Sequence, residues 1–167
     1  INSCNIIMLN LMNKEPVQRV NKKLKKFDQN LNIVVLEDTA KTARDAAKSL
    51  GTEIGSIVKS LLFKCENSYL LCLVAGDKRC SLNKIKKNLN QKDVCMASAD
   101  EVKNVTGFTI GGVSPVGHLN NINIFIDDSL SRFPEVFAAA GHPHCIFKIN
   151  FTNLKNITNG KVLDIIE

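Results

Sequence analysis

Apolar residues recur at helical spacing near the start of the chain. Val17, Val20, Leu24 and Phe27 follow one another at intervals of three or four residues, and Pro16 suits a first helical turn. This pattern predicts an amphipathic helix. Its polar face carries a run of lysines, interpreted either as a solvated face or as a phosphate contact: Lys22, Lys23, Lys25 and Lys26.

The middle of the chain predicts a strand, a helix and then a hairpin. The apolar run 32–36 is typical of a strand, and the alanine-rich stretch 39–50 is typical of a helix that Gly51 ends. Two β-rich runs, 57–63 and 69–75, are separated by a short polar stretch. We expect these two runs to pair as antiparallel neighbours.

The second half of the chain continues to alternate between helix and strand signals. Ser81 is expected to cap one helix, and Ser98 with Glu101 forms a capping box for another that stops near Gly107. Four segments follow: a strand at 122–126, a short helix at about 130–140, a strand at 145–149 and a final apolar run at 162–166. Because strands and helices are interspersed without regular β–α–β alternation, the predicted fold class is α/β of the α+β type. Its sheet is expected to be mixed or mainly antiparallel and flanked by helices.

Length and composition favour one domain with its own hydrophobic core. The chain has 167 residues, of which 44% are hydrophobic and 23% charged, which is the balance of a soluble globular domain. Residues 13–167 are predicted to form this domain. Residues 1–12 are apolar, have no basic leader and are too short to span a bilayer. We interpret them as an extension that arises from cloning, from upstream read-through or from a join to another segment.

The charge balance indicates a polyanionic partner. Subtracting 16 acidic residues from 22 basic ones gives a formal net charge of +6, which favours nucleic acid through electrostatic attraction and counterion release. The cysteines include no C-x-x-C pair, so free thiols in a reducing compartment are favoured over three disulfides. They are Cys4, Cys65, Cys72, Cys80, Cys95 and Cys145. The predicted location is therefore the cytoplasm.

Lys59 is the most informative single residue. Alternation through Ile57, Lys59, Leu61 and Phe63 places an ammonium group on an otherwise apolar strand face. One interpretation is a lysine in a cleft, available to a phosphate or to a developing oxyanion. The other is an inverted strand, in which the intervening residues are buried and Lys59 extends into solvent. The pattern alone favours neither.

A seven-residue run rich in glycine is the second candidate for chemistry: Gly111-Gly112-Val113-Ser114-Pro115-Val116-Gly117. Its glycines let the backbone approach a ligand closely and point N–H groups into a concavity. This composition suits a cradle for a carbonyl or an oxyanion, and the alternative is an ordinary turn-rich loop. The run matches neither of the glycine-rich phosphate-binding patterns.

The remaining polar candidates give weaker signals. His142 and His144 lie close together, but no second Cys/His cluster occurs at metal-ligand spacing, so no metal and no cofactor are predicted. His144 is interpreted either as a substrate contact or as a loop residue. Ser114 lacks G-x-S-x-G surroundings and an assignable base, which argues against a serine-hydrolase triad. Asp127 and Asp128 are expected to cap a turn or a helix.

Six segments, taken in order, form a pattern shared with a known family. They are Leu50-Gly51, Ile57-Val58-Lys59-Ser60-Leu61, Gly76-Asp77, Thr106-Gly107-Phe108, the glycine-rich run with its G-x-x-x-P motif, and Ala139-Ala140-Gly141. This order resembles the YbaK and prolyl-tRNA synthetase-associated domain family, and the resemblance covers nearly the whole chain from Pro16 onward. It implies a curved sheet or partial barrel. It also implies an editing deacylase that hydrolyses the ester of misacylated tRNA.

The resemblance implies roles for individual residues. Lys59 corresponds to a lysine required for deacylation, which engages the phosphate of the terminal adenosine and positions the acceptor end. Gly111 and Pro115 correspond to the ends of the G-x-x-x-P loop that holds the ester carbonyl. Ser114 is expected to line the amino-acid pocket. The full set of predicted substrate-binding residues is Gly112, Val113, Ser114 and His144.

The resulting hypothesis is a trans-editing deacylase that acts on proline tRNA carrying alanine, cysteine or a close analogue. A pocket for a small apolar group discriminates one methylene by about 1–3 kcal/mol, so a synthetase needs a second, hydrolytic site. The predicted partners are the acceptor end of misacylated tRNA and prolyl-tRNA synthetase or the elongation machinery, with no membrane partner. One alternative is a non-catalytic module that only docks tRNA or a synthetase. Another is a small-ester hydrolase unrelated to RNA.

Overall fold

The computed structural model describes residues 3–167, which fold into helices packed on two β-sheets. The α-helices are α1 (Ser3–Met12), α2 (Glu15–Phe27), α3 (Ala43–Leu50), α4 (Leu82–Leu89), α5 (Ala99–Thr106) and α6 (Phe151–Thr158). The strands are β1 (Ile33–Val35), β2 (Val58–Lys64), β3 (Tyr69–Ala75), β4 (Cys95–Met96), β5 (Asn123–Asp127), β6 (Val136–Ala139), β7 (Cys145–Ile149) and β8 (Lys161–Leu163). Short 3₁₀-helices span Ile54–Ser56 and Asp128–Arg132. This arrangement confirms the mixed α/β class.

The larger sheet has the strand order β4-β2-β3-β5-β8, and the smaller sheet has the order β1-β7-β6. Strands β2 and β3 form the predicted antiparallel hairpin, in which Lys59 is paired with Val74. The β3–β5 and β5–β8 pairings are parallel, and the other pairings are antiparallel. The sheets do not close into a barrel. A bridge between Ile57 and Phe137 brings the start of β2 beside β6.

The β2–β3 hairpin is buried on both of its faces. Val58 and Leu62 belong to the large core cluster, together with the buried face of α2. Phe63 belongs to a second cluster on the opposite face, where Ile85 of α4 covers it. Residues from both alternating sets of this strand are therefore buried, and Lys59 itself is partly buried. A hairpin with two buried faces leaves room for a charged side chain only near its edge or its end.

The helix termini follow the capping signals closely. Ser98 and Glu101 form the predicted capping box at the start of α5. Gly51 ends α3 with a left-handed φ of 64°, a conformation that favours glycine. Helix α3 begins later than predicted, because the Thr42 hydroxyl, and not Thr39, accepts the capping hydrogen bond from Asp45 N–H.

The predicted helix at about 130–140 is wrong. The segment instead forms the 3₁₀-helix Asp128–Arg132, followed by strand β6. Pro134 separates the two, and a proline in that place removes a backbone donor that a continuous helix would need. Val136 and Ala138 are buried while their neighbours are partly exposed, which is the alternation of a strand. This difference matters because β6 forms part of the candidate site.

The extension predicted at 1–12 contains helix α1. Leu11 and Met12 pack against the large core cluster, whereas Ile7 and Leu9 are each 60% exposed. Residues 1 and 2 lie outside the described part of the chain. The interpretation of this segment as an added extension stays a prediction.

Candidate active site

A cavity with a volume of 330 Å³ opens beside the edge of β2. Strand β4 pairs with β2 only at Phe63 and Lys64, and the cavity lies beside the earlier part of β2. The cavity is lined by residues 40–43, Ala46, 57–62, 96–97, Val102, 110–111, Val113, 137–139 and Ile146. Most of these residues are apolar. The polar side chains among them are Lys41, Thr42, Lys59 and Ser60.

A shallower groove adjoins this cavity. Lys59, Leu61 and Met96 line both depressions, so the two are immediate neighbours. The groove is completed by Phe63, residues 79–83 and Glu167. Lys59 therefore stands at the junction between an apolar cavity and a more polar groove.

The Lys59 side chain is partly buried. Its Nζ donates a hydrogen bond to the backbone carbonyl of Lys78. Burial is the main cause that lowers the pKa of Lys59 below its ordinary value, and the nearby Cys80 and Asp77 act in the opposite direction. A lysine ammonium has three N–H donors. The contact with Lys78 leaves donors that are able to bind a ligand.

The glycine-rich loop meets the cavity at Gly111. The N–H of Gly112 donates to the carbonyl of Thr109 at 2.9 Å, and Gly111 has a φ of 94°, which is the third position of a type II turn. A Cβ on Gly111 would lie 2.6 Å from Cγ of Lys41. The N–H groups of Gly111 and Val113 donate to no other atom of residues 3–167. Two residues that line the cavity thus have backbone donors without a partner among residues 3–167.

Gly112, Ser114 and Pro115 pack behind this wall and are not among the cavity-lining residues. A Cβ on Gly112 would lie 3.0 Å from the backbone of His142. Ser114 is fully buried, and its Oγ accepts a hydrogen bond from Val116 N–H at 3.2 Å. Pro115 is also buried. Their substrate contacts stay predictions, and the geometry places them as supports for Gly111 and Val113.

His144 lies at the end of the loop before β7 and is not among the residues that line the cavity. Its Nδ1 is 2.9 Å from the carbonyl oxygen of Leu36. Its backbone N–H donates to Nδ1 of His142 at 3.1 Å. These contacts fasten the turn before β7 to the end of β1. The substrate contact predicted for His144 remains a prediction.

Two acidic residues near the site have structural partners. Asp77 forms a two-pronged ion pair with Arg132, at 2.7 and 3.0 Å, and the guanidinium lowers the pKa of Asp77 below its usual range. This pair fixes the turn that presents the Lys78 carbonyl to Lys59. Asp127 is buried and accepts hydrogen bonds from the N–H groups of Ser129 and Ile165, at 3.0 and 2.9 Å. The capping role predicted for Asp127 is confirmed.

Sequence reasoning did not single out three residues that line the site. Lys41 covers Gly111 with its aliphatic chain, and Arg79 is an exposed cation in the groove. Ser60 lines the cavity, and its Oγ is buried without a hydrogen-bond partner. Of these three residues, only Ser60 could have been found from the sequence, because it directly follows the candidate Lys59. The positions of Lys41 and Arg79 depend on contacts between distant segments.

The fold and the cavity define a small mixed α/β domain whose site combines a cation, free backbone donors and an apolar recess. A family model for the aminoacyl-tRNA editing domain matches residues 37–157, which include Lys59, the glycine-rich loop and β6. The chain belongs to the aminoacyl-tRNA editing domain family. The resemblance to the YbaK family is thereby confirmed.

Several relatives and solved structures are similar to the chain. The uncharacterized protein YwhH of Bacillus subtilis (strain 168) is 30% identical over 137 residues, which is 81% of this chain and 87% of YwhH. A proline–tRNA ligase of Fervidobacterium nodosum is 36% identical over 93 residues, which is 56% of this chain but only 16% of the ligase. A crystal structure described as a candidate trans-editing enzyme for prolyl-tRNA synthetase superposes with a TM-score of 0.87 at 36% identity, covering 92% of this chain and 98% of that one. The hypothetical protein APE2540 superposes with a TM-score of 0.83 at 27% identity, covering 89% of this chain and 99% of its own.

Two further observations concern the described residues. All six cysteines are free thiols. None of the helices within residues 3–167 is long and apolar enough to cross a lipid bilayer.

Proposed function

We propose that this protein is a trans-editing deacylase that hydrolyses the ester bond of proline tRNA misacylated with alanine, cysteine or a close analogue. The observation that carries this proposal is the shared position of Lys59 and Gly111, which line one cavity although they are 52 residues apart in the sequence. Membership of the editing-domain family and the similarity to proline–tRNA ligases support it. The proposed location is the cytoplasm, where charged tRNA is used.

The chemistry needs no nucleophilic side chain. An aminoacyl ester is already activated, so a site need only orient the ester, admit a water and stabilise the tetrahedral oxyanion. In our proposal the free N–H groups of Gly111 and Val113 donate to that oxyanion. Pro115 and Ser114 hold the loop in this conformation from behind. The ester is hydrolysed to a free amino acid and a free 3′ end of the tRNA.

The two neighbouring depressions suggest an orientation for the substrate. The apolar cavity suits the aminoacyl group, and the groove suits the terminal nucleotide. Lys59 stands at the junction, where its ammonium is able to bind the phosphate of the terminal adenosine. The lysines on α2 and Arg79 in the groove then attract the acceptor stem through its phosphates, without reading base sequence.

The proposal is tested with proline tRNA charged with alanine, cysteine or proline. We expect the alanyl or cysteinyl ester to be hydrolysed at least about tenfold faster than the prolyl ester, because the pocket distinguishes small groups by roughly 1–3 kcal/mol. Release of labelled amino acid is the measurement. Binding of the tRNA without release would instead select the non-catalytic docking module. Turnover of simple esters at a rate independent of salt would select the hydrolase unrelated to RNA.

Arg79→Gln should weaken the dependence of deacylation on salt. If Arg79 binds a phosphate of the acceptor end, its removal lowers the slope of log(kcat/KM) against log[salt] by about one. The measurement is a salt titration of kcat/KM. Lys148→Gln is the control, since Lys148 is exposed on β7 and paired with Glu135. Equal slopes for the two variants would place the nucleotide elsewhere.

A further inference from the structure

Ser60 carries an unsatisfied polar group at the wall of the cavity. Its Oγ is buried and has no hydrogen-bond partner, the one side-chain oxygen or nitrogen in this condition within residues 3–167. A buried hydroxyl without a partner costs about 1–3 kcal/mol relative to a satisfied one. Such groups are uncommon in native proteins. A hydroxyl of this kind beside a cavity gains its missing hydrogen bond when a bound ligand supplies the partner.

The hydroxyl of Ser60 is able to turn towards a ligand at little cost. Residue 60 as a whole is partly exposed and lines the cavity, although its Oγ is shielded from solvent. Rotation about a single bond moves a serine hydroxyl between staggered positions. Because Oγ makes no hydrogen bond in the free protein, that rotation breaks none.

The chemistry of the cavity limits what Ser60 binds. No carboxylate is among the lining residues, and the two lysines there, Lys41 and Lys59, have no acceptor when charged. The cavity has two side-chain hydroxyls, and that of Thr42 already accepts the N–H of Asp45 at 3.1 Å. Ser60 is therefore the hydroxyl in the cavity whose oxygen has no hydrogen bond within residues 3–167. An aminoacyl ester brings one donor group close to its reacting carbonyl, which is its α-amino group.

We propose that Ser60 binds the α-amino group of the aminoacyl ester and so orients the carbonyl towards the loop at Gly111. This inference rests on the proposed function, since it names the contact that the same site makes with its substrate. Ser60 sits directly beside Lys59 in β2. The phosphate end and the amino end of the substrate would then be held by consecutive residues of one strand.

The test pairs the Ser60→Ala variant with a substrate that lacks the α-amino group. Propionyl-tRNA has the shape of alanyl-tRNA without that group, so the four combinations form a double-mutant cycle. We expect Ser60→Ala to lower kcat/KM by about tenfold on alanyl-tRNA and by less than about twofold on propionyl-tRNA, the size of one lost hydrogen bond. Ser60→Thr, which keeps the hydroxyl, should recover most of the activity.

Thermal unfolding supplies a readout that separates binding from a structural role. Removal of an unpartnered buried hydroxyl should leave the Tm of Ser60→Ala unchanged or raise it, because no hydrogen bond of the free protein is lost. Equal losses on the two esters would overturn the proposal. So would a lowered Tm accompanied by losses on both esters, since Ser60 would then support the fold.

A binding experiment keeps this inference separate from the proposed function. Calorimetry measures the affinity of the protein for two amides of 3′-amino-3′-deoxyadenosine, one with an alanyl group and one with a propionyl group. Both amides resist hydrolysis. We expect the wild-type protein to prefer the alanyl compound and the Ser60→Ala variant to lose that preference. If the wild-type protein hydrolyses no ester but shows this preference, the deacylase proposal fails and the Ser60 contact stands. The absence of any preference in the wild type would overturn the Ser60 contact.

Discussion

Lys59→Ala should lower kcat/KM for the deacylation of misacylated tRNA by about 10²- to 10³-fold, the usual cost of removing a group that stabilises or positions the reacting centre. The physical reason is the place of the ammonium at the junction of cavity and groove. Within residues 3–167 its Nζ donates a hydrogen bond only to the Lys78 carbonyl, so its charge is available to the substrate. The measurement is steady-state release of amino acid from alanyl-tRNA.

A matched control separates this effect from a general loss of charge. Lys148 is also a strand lysine, but it is exposed on the smaller sheet and paired with Glu135. Lys148→Ala should retain the activity of the wild-type protein. If Lys59→Ala remained fully active while folding normally, Lys59 would have no part in catalysis and the deacylase proposal would lose its main support.

The dependence of deacylation on pH is a second test of the role of Lys59. Burial lowers the pKa of Lys59 below its ordinary value of 10.5, and the charged form is the one that binds phosphate. Activity should therefore fall as the pH rises through this lowered pKa, after the spontaneous hydrolysis of the ester is subtracted. Lys59→Arg, whose side chain stays charged at these pH values, should move the alkaline limb upward. An unchanged alkaline limb in Lys59→Arg would assign that limb to another group.

Local patterns in the sequence predict much of the fold. The apolar spacing of α2, the capping box at Ser98, the left-handed end at Gly51 and the β2–β3 hairpin all depend on neighbouring residues, and the structure confirms each of them. The helix predicted at 130–140 is wrong because, over so short a run, its apolar residues fit the period of a helix as well as that of a strand. Pro134 interrupts a continuous helix there, and the pairing of β6 with β7 fixes the later part as a strand.

The candidate site is harder to predict from the sequence, because it is made by contacts between distant segments. Lys59 and the glycine-rich loop stand out from their own neighbours, since a charge on an apolar strand and three glycines in seven residues are unusual locally. Nothing in the sequence distinguishes Arg79 from other surface cations, and only the structure places it in the groove. The contact of Lys41 with Gly111 depends on where α3 lies, which no local pattern specifies.

Gly111→Ala should lower deacylation by about 10²-fold and destabilise the domain by about 1–2 kcal/mol. The stability loss follows from the φ of 94° at this position, which costs a residue with a Cβ about that much. The larger effect on activity follows from the position of Gly111 at the cavity wall. A Cβ on this residue would lie 2.6 Å from Cγ of Lys41. The turn must shift to relieve that contact, and the free N–H donors shift with it. Chemical denaturation and steady-state kinetics measure the two losses.

Gly51→Ala is the matched control, since it imposes similar backbone strain outside the site. Gly51 has a φ of 64°, and a Cβ there would meet no atom of residues 3–167 within 4 Å. We expect a similar loss of stability and unchanged kcat/KM. Equal activities for the two variants would mean that the position of the Gly111 backbone does not matter for the reaction. The oxyanion would then have to be stabilised by other donors, and the glycine-rich loop would be a structural turn.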